Sequence, residues 1–259
     1  MGCTLDDFLE RAPTTEARSP PAFPVRAIAF DLDSTLVDIV RLKERAAEAA
    51  AWALADAGLD VNPEAAAREI MQVAYDIGID HDGVVEEYLH RRVGRPDPRF
   101  VAIARHAYER AEDQNVVAYP RVHKTLLELT RRGYPLVLIT DAPRHRAVRR
   151  LQAARLLHFF CELITGEDTP RGKADARPYA LAAQRLGIAP HEMLMVGDNP
   201  HRDIGVARAF GCRTVLASYG LQPVFSSDDP LHVADADIDW PDQLLELTPA
   251  DLAVALRAR

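Results

Sequence analysis

Short, mostly apolar runs recur in the chain at the length of buried β-strands. They cover residues 25–30, 136–139, 193–196 and 214–217. Because a strand that is apolar at successive positions buries both of its faces, these runs predict central strands of a parallel sheet. Amphipathic stretches near residues 121–132, 143–153, 175–187 and 201–210 predict helices around the last three runs. This alternation of strand and helix indicates an α/β fold built on an open parallel sheet.

The stretch 39–118 interrupts the alternation. It contains no convincing strand, and Asn62 and Asp97, each followed by a proline, have the signature of helix N-termini. The sequence therefore predicts a small all-helical domain over 39–118. This domain is inserted into an α/β core formed by residues 25–38 and 119–259.

The two ends of the chain differ from the core. Residues 1–24 end in a proline-rich segment that suits neither a helix nor a central strand, so they are predicted to be an N-terminal extension. After Gly220 the sequence predicts mainly loops, followed by a final helix that begins at Thr248.

The composition limits the possible partners. The net charge is −8, whereas a nucleic-acid-binding surface needs a basic stripe, so no nucleic-acid partner is expected. The three cysteines are scattered, without the spacing of a disulfide framework or a zinc site. No apolar run approaches the ~18 residues that a membrane span needs. We expect a soluble cytoplasmic protein that is a monomer or a homodimer.

Polar side chains follow three of the apolar runs directly. Asp31 and Asp33 follow the first run, Thr140 follows the second and Asp198 follows the third, while Lys173 lies in a loop that opens a helix. Taken singly, most of these residues have structural explanations, such as a helix cap or a surface charge. In open parallel sheets, however, ligands bind at the carboxyl ends of the strands. Two neighbouring acids can also divide the roles of nucleophile and general acid/base.

Four ordered segments carry a family resemblance. They are AIAFDLDSTLVD (27–38), LVLITD (136–141), RGKADARPYALAAQRLG (171–187) and MLMVGDNPHRDIGVARAFG (193–211). With these segments the chain resembles the haloacid-dehalogenase (HAD) superfamily, in its phosphatase form with a helical cap inserted after the first core strand. The resemblance implies a Rossmann-like core, a helical cap that acts as a lid over the site, and hydrolysis of a small phosphate monoester.

The resemblance also implies roles for the residues at the strand ends. Asp31 would attack phosphorus and become an aspartyl phosphate, and Asp33 would protonate the leaving alcohol and later activate water. The hydroxyl of Thr140 and the main-chain N–H groups near Leu32 and Asp33 would hold phosphate oxygens. Lys173 would supply positive charge to the substrate and to the nucleophile. These roles agree with the general needs of phosphoryl transfer.

A magnesium ion is expected at the same place. Mg²⁺ prefers oxygen ligands, and a carboxylate oxygen of Asp31, the carbonyl of Asp33 and the carboxylate of Asp198 would provide them. Asp203 would orient a metal-bound water or Lys173. Several carboxylates in one pocket repel each other unless a cation is present, which independently favours a metal.

The chain departs from the family pattern near the expected phosphate site. Asp141 stands where an asparagine is more usual, which places another acid near the phosphate. It either turns away or helps to select the leaving group, and we count it as a candidate substrate-binding residue together with Leu32, Asp33, Thr140 and Lys173. Ala174 and Ala176 stand in place of two common prolines, which loosens the loop that carries Lys173.

Three other functions are alternatives to the phosphatase. Dehalogenases of the family need no acid for the leaving group and lack the second aspartate, so Asp33 disfavours them. A phosphosugar mutase shares both aspartates and stays open as an alternative. A non-catalytic protein that binds phosphate or a metabolite would require the loss of a key residue, and none of Asp31, Asp33, Lys173 and Asp198 is lost.

Overall fold

The computed structural model describes residues 25–221 and 229–247. The expected N-terminal extension 1–24 and the helix expected at Thr248 lie outside these residues. The chain divides into two compact units. Asp38–Val117 form one unit, which is helical, and the flanking parts of the chain, up to Val37 and from Ala118 onwards, form the other.

The helices and strands of the described residues are numbered in chain order. They are β1 (Ala27–Phe30), α1 (Ile39–Asp56), α2 (Pro63–Ile77), α3 (Val84–Val93), α4 (Pro98–Gln114), α5 (Val122–Arg131), β2 (Leu136–Ile139), α6 (Arg144–Ala153), β3 (Phe160–Ile164), α7 (Arg177–Leu186), β4 (Met193–Gly197), α8 (Val206–Phe210), β5 (Arg213–Ala217) and β6 (Ala236–Ile238). In these parts of the chain, none of the helices combines the length and the hydropathy of a membrane span.

Within the described ranges, six parallel strands form one sheet in the order β3-β2-β1-β4-β5-β6. β1 is central, and its last residue, Phe30, pairs with Leu138 of β2 and Val196 of β4. Every residue of β1, β2 and β4 is buried. The predicted α/β class with an open parallel sheet is confirmed. The register brings the carboxyl ends of these three strands side by side.

Two strands carry weaker sequence signals than the others. β3 lies at the edge of the sheet and is only partly buried, and Glu162 interrupts its apolar pattern. β6 has three residues, including Asp237, and lies in the stretch after Gly220 that was expected to be mainly loops. That expectation was wrong for β6, because an edge strand of this length needs no apolar run.

The helix predicted over 201–210 also differs from the structure. Residues Pro200–Gly205 form a π-helical turn, and the α-helix α8 begins only at Val206. The side chain of Asn199 accepts hydrogen bonds from the N–H groups of His201 and Arg202, which caps the wide turn. Such turns are rare and are frequent at functional sites.

The helical unit has its own core. α1 packs along α4 and α2, and alanines on its buried face, among them Ala46 and Ala50, allow the helices to approach closely. A lysine interrupts this apolar interior. Lys43 is 2% exposed and forms ion pairs with Asp80 and Glu112 of the same unit.

Candidate active site

Asp31 is the first residue after the central strand. Its N–H donates to the carbonyl of Val196 in β4, which continues the sheet by one more bond, and its side chain is buried. Burial raises the pKa of Asp31 to about 8, although the neighbouring Lys173 acts in the opposite direction. A buried carboxylate at the end of β1 is therefore short of positive charge.

Lys173 supplies part of that charge. It lies in the 3₁₀ turn Gly172–Ala174 and is 4% exposed. Its Nζ donates to Oδ1 of Asp31 at 2.5 Å and to Oδ1 of Asp203 at 2.6 Å. Burial alone would lower the pKa of Lys173, but the charges of Asp203 and Asp31 outweigh this effect and raise it well above its usual range. The lysine is therefore a permanent cation between two carboxylates.

Asp203 reaches the site from the π-helical turn. It is fully buried, and its Oδ2 also accepts from the N–H of Asn199 at 3.0 Å. Its position requires a glycine at the end of β4, since a Cβ at Gly197 would lie 2.3 Å from Cγ of Asp203. The π-helical turn therefore lays Asp203 directly over the end of β4.

Asp198 completes a group of acids. It follows β4, is 4% exposed, and accepts from the hydroxyl of Thr35 at 3.2 Å. Carboxylate oxygens of Asp31, Asp198 and Asp203 all lie within 4.8 Å of one another. Burial, and then the charge of Asp31, raise the pKa of Asp198 well above its usual range. Three buried carboxylates thus face one ammonium, and these residues could hold a metal ion, which would relieve the excess of negative charge.

Asp33 is paired with an arginine. Its Oδ2 accepts from Nη1 of Arg150 at 2.7 Å, and Arg150, on α6, is 4% exposed. The carboxylate of Asp33 is not part of the acid group. Sequence reasoning missed Arg150. The available signal was a charged residue on the buried face of a helix, next to Ala147 and Leu151.

The remaining predicted residues follow the carboxyl ends of β1 and β2. Thr140 is buried at the end of β2, and its hydroxyl accepts from the N–H of Ala142 at 3.2 Å. The side chain of Leu32 is fully buried, so only its main chain is left to meet a ligand. The carboxylate of Asp141 accepts from the N–H of Lys173 and from Arg202, both at 2.7 Å. The substrate contacts assigned to these three residues stay predictions.

A tight loop contact supports the turn that follows Asp33. Ser34 has a left-handed φ of 63°. A Cβ at Gly220 would lie 1.5 Å from the carbonyl oxygen of Ser34, so only glycine fits there. The neighbouring Tyr219 donates from its hydroxyl to the carbonyl of Thr35 at 2.8 Å. Tyr219 and Gly220, which are distant from this turn in the sequence, therefore pack against it and support the segment that carries Asp31 and Asp33.

Comparison with known proteins shows the family of the chain. Residues 25–211 match a family model described as haloacid dehalogenase-like hydrolase. The chain belongs to that family. The match contains all the acids of the site, Lys173 and Arg150.

The chain is also similar to individual proteins. The glyceraldehyde 3-phosphate phosphatase of Methanopyrus kandleri is 31% identical over 225 residues, which cover 86% of this chain and 97% of the relative. The phosphoglycolate phosphatase of Yersinia pseudotuberculosis is 34% identical over 200 residues, 76% of this chain and 82% of the relative. A solved structure of a HAD family hydrolase from Deinococcus radiodurans, with bound phosphate and sodium, is 25% identical, covers 90% of this chain and 96% of its own, and has a TM-score of 0.63.

Proposed function

We propose that the protein is a magnesium-dependent phosphatase that forms an aspartyl phosphate on Asp31. The family and the phosphatase names of its relatives make it a hydrolase of small phosphate esters. The observation that supports the mechanism best is the position of Asp31. It is a buried carboxylate at the end of the central strand, paired with Lys173 and close to Asp198 and Asp203.

The first half-reaction transfers the phosphoryl group to the enzyme. A carboxylate oxygen of Asp31 attacks phosphorus, and the bond from phosphorus to the alcohol oxygen breaks. Asp33 gives its proton to that oxygen, so a neutral alcohol leaves. Lys173, the hydroxyl of Thr140 and the main-chain N–H groups near Leu32 would stabilise the negative charge on the phosphoryl oxygens.

The second half-reaction returns the enzyme to its first state. A water molecule attacks phosphorus of the aspartyl phosphate, and Asp33 takes one of its protons. The acyl-phosphate bond breaks and releases inorganic phosphate and the carboxylate of Asp31. In both half-reactions the ion pair with Arg150 would hold the carboxyl group of Asp33 in place.

The acid group fits the proposed Mg²⁺. Asp31 and Asp198 would be ligands together with the carbonyl of Asp33, and Asp203 would orient Lys173 or a bound water. The proposed ligand atoms are all oxygens, which is the ligand type that Mg²⁺ takes. When bound, the ion would neutralise charge on the carboxylates and on the phosphate.

A small phosphorylated metabolite is the proposed substrate. The names of two relatives suggest 2-phosphoglycolate and glyceraldehyde 3-phosphate as the first compounds to test. We propose a cytoplasmic protein, monomeric or homodimeric, and the net charge of −8 disfavours a nucleic-acid partner.

The test is phosphate release from p-nitrophenyl phosphate, with and without Mg²⁺, followed by a panel of small phosphate monoesters. We expect turnover that requires Mg²⁺ and that is lost in Asp31→Asn, with unchanged circular dichroism. Turnover by folded Asp31→Asn would contradict the nucleophile assignment. If the panel gave isomerised sugar phosphates instead of inorganic phosphate, the mutase alternative would replace the phosphatase.

A further inference from the structure

Asp141 connects the loop of Lys173 to the rest of the site. Its Oδ1 accepts from the main-chain N–H of Lys173 at 2.7 Å, and its Oδ2 accepts from Nη1 of Arg202 at 2.7 Å. We propose that Asp141 is a positioning residue that anchors the main chain of Lys173 and does not bind substrate. This inference rests on the proposed function, because it assigns Asp141 a part in placing the lysine of that site.

Two glycines allow Asp141 to pack closely against the neighbouring loops. A Cβ at Gly172 would lie 2.2 Å from Oδ1 of Asp141, so the carboxylate occupies the space that any other residue at 172 would fill. A Cβ at Gly166 would lie 2.3 Å from the carbonyl oxygen of Asp141. Two loops therefore close onto Asp141 where a side chain on either glycine would prevent it.

The two hydrogen bonds of the Asp141 carboxylate differ in their exposure to solvent. The bond to Lys173 is main-chain and partly buried, and it holds the residue whose Nζ contacts the nucleophile. Arg202 is 55% exposed, so its ion pair with Asp141 is of the kind that contributes little. The positioning effect therefore depends on the oxygen that accepts from Lys173.

The reaction explains why Lys173 needs an anchor on its main chain. Its Nζ is held by Asp31 and Asp203, but when Asp31 becomes an acyl phosphate the negative charge lies on the phosphoryl oxygens and no longer on the carboxylate that contacts Nζ. The hydrogen bond from Asp141 does not change in that step. Residues 174 and 176 of the loop are alanines, so no proline ring fixes φ at these positions. The hydrogen bond to Asp141 restrains the loop at Lys173 itself.

The experiment compares Asp141→Ala, Asp141→Asn and Arg202→Gln in the Mg²⁺-loaded enzyme. Asp141→Ala removes the acceptor, and we expect kcat to fall by roughly 10- to 100-fold, as for a displaced catalytic group. Asp141→Asn keeps an oxygen for Lys173 and loses only the charge that faces Arg202. We therefore expect it, like Arg202→Gln, to lose less than about fivefold.

A second pair of variants perturbs the contact from the other side. Gly172→Ala, at φ +53°, would push the Asp141 carboxylate away while keeping both charged side chains, and we expect the same loss of kcat as for Asp141→Ala. Gly187→Ala is the matched control, because Gly187 has φ +63° and nothing lies within 4 Å of an added Cβ. It carries the same left-handed strain and should keep kcat. If Asp141→Ala fails to fold, this pair still tests whether the contact of Asp141 with the Lys173 loop is needed for turnover.

The panel of esters separates positioning from substrate binding. An anchor for Lys173 acts on the phosphoryl group, so each variant should lose the same factor of kcat with every ester, with little change in KM. A loss in Asp141→Asn as large as that in Asp141→Ala, or a factor that varies strongly with the alcohol, would overturn the proposal. Failure of the proposed function would look different, since the wild type itself would then show no Mg²⁺-dependent turnover.

Discussion

The contact between Gly197 and Asp203 gives a quantitative test of the site geometry. An added Cβ at Gly197 would lie 2.3 Å from Cγ of Asp203 and 2.4 Å from both its Cβ and Oδ2. Carbon atoms in contact are about 3.5–4.0 Å apart, so the overlap exceeds about 1 Å. Because Cβ of Asp203 is part of the collision, rotation of the side chain alone cannot relieve it. Gly197→Ala must therefore displace Asp203 or the strand end.

Two effects of this displacement can be estimated. Overpacking of a buried site costs about 1–3 kcal/mol. For a domain of this size that corresponds to a fall in Tm of about 2–12 °C. Displacing Asp203 also removes a partner of Lys173 beside the predicted metal site. Loss of such a supporting group lowers metal affinity by roughly 10- to 100-fold.

Thermal unfolding followed by circular dichroism, and the Mg²⁺ concentration for half-maximal activity, measure the two effects. Gly83→Ala is the control, since its Cβ would meet only the ring of His81, with Cε1 at 3.2 Å and Nδ1 at 3.3 Å. In the double variant Gly197→Ala/Asp203→Ala, only the collision with Cβ of residue 203 remains. Its fall in Tm should therefore be smaller than the sum of the falls in the two single variants. A Gly197→Ala protein with wild-type Tm and wild-type Mg²⁺ dependence would refute the reasoning.

Three further predictions concern charged groups. Arg150→Met releases Asp33 from its ion pair and should remove part of the ~10²–10⁴-fold contribution of acid–base catalysis. We therefore expect kcat to fall about tenfold for alkyl phosphates and less for p-nitrophenyl phosphate, whose leaving group needs little protonation. Lys43→Met leaves two carboxylates without their cation inside the helical unit and should cost about 3 kcal/mol in urea unfolding. Mg²⁺ at a hundredfold excess over its Kd should stabilise the protein by about 2.7 kcal/mol, seen as a rise in Tm, and Asp198→Asn should remove most of that rise.

Each of these predictions has a control. For Arg150 it is Arg149→Gln, which removes an exposed charge one position earlier on the same helix. An equal loss with good and poor leaving groups would contradict the positioning of Asp33. For Lys43 the double variant Lys43→Met/Glu112→Gln should recover stability, and a further loss would contradict the ion-pair account. An Asp198→Asn protein that kept the full Mg²⁺-induced rise in Tm would exclude Asp198 as a ligand.

The central strands could be predicted from the sequence because each is marked by a local run of apolar residues. β1, β2 and β4 are buried on both faces, so their apolar runs stand out, and polar residues such as Asp31 mark where they end. β6 could not be located this way, since it is a three-residue edge strand that contains a charged residue. The π-helical turn was also missed, because its i to i+5 spacing has no pattern distinct from that of an α-helix.

The sequence indicated candidate site residues, whose roles stay predictions, but it could not show which of their side chains contact each other. Lys173 could be proposed from its loop position, whereas its ion pair with Asp203 depends on how Gly197 lets the π-helical turn approach β4. The pairing of Arg150 with Asp33 joins residues from distant parts of the sequence, and no single-sequence pattern encodes it. For Asp141 the sequence left two roles open. The structure shows both carboxylate oxygens accepting hydrogen bonds from the protein.

The most direct test of the account is to look for the phosphoryl group on Asp31 itself. Enzyme loaded with Mg²⁺ and a saturating phosphate monoester is quenched in acid during turnover, digested, and analysed by mass spectrometry, with Asp33→Asn included to slow hydrolysis of the intermediate. The account predicts a phosphorylated peptide whose modified residue is Asp31, more abundant in Asp33→Asn and absent in Asp31→Asn. Phosphate release without any modified peptide, together with turnover by Asp31→Asn, would contradict it.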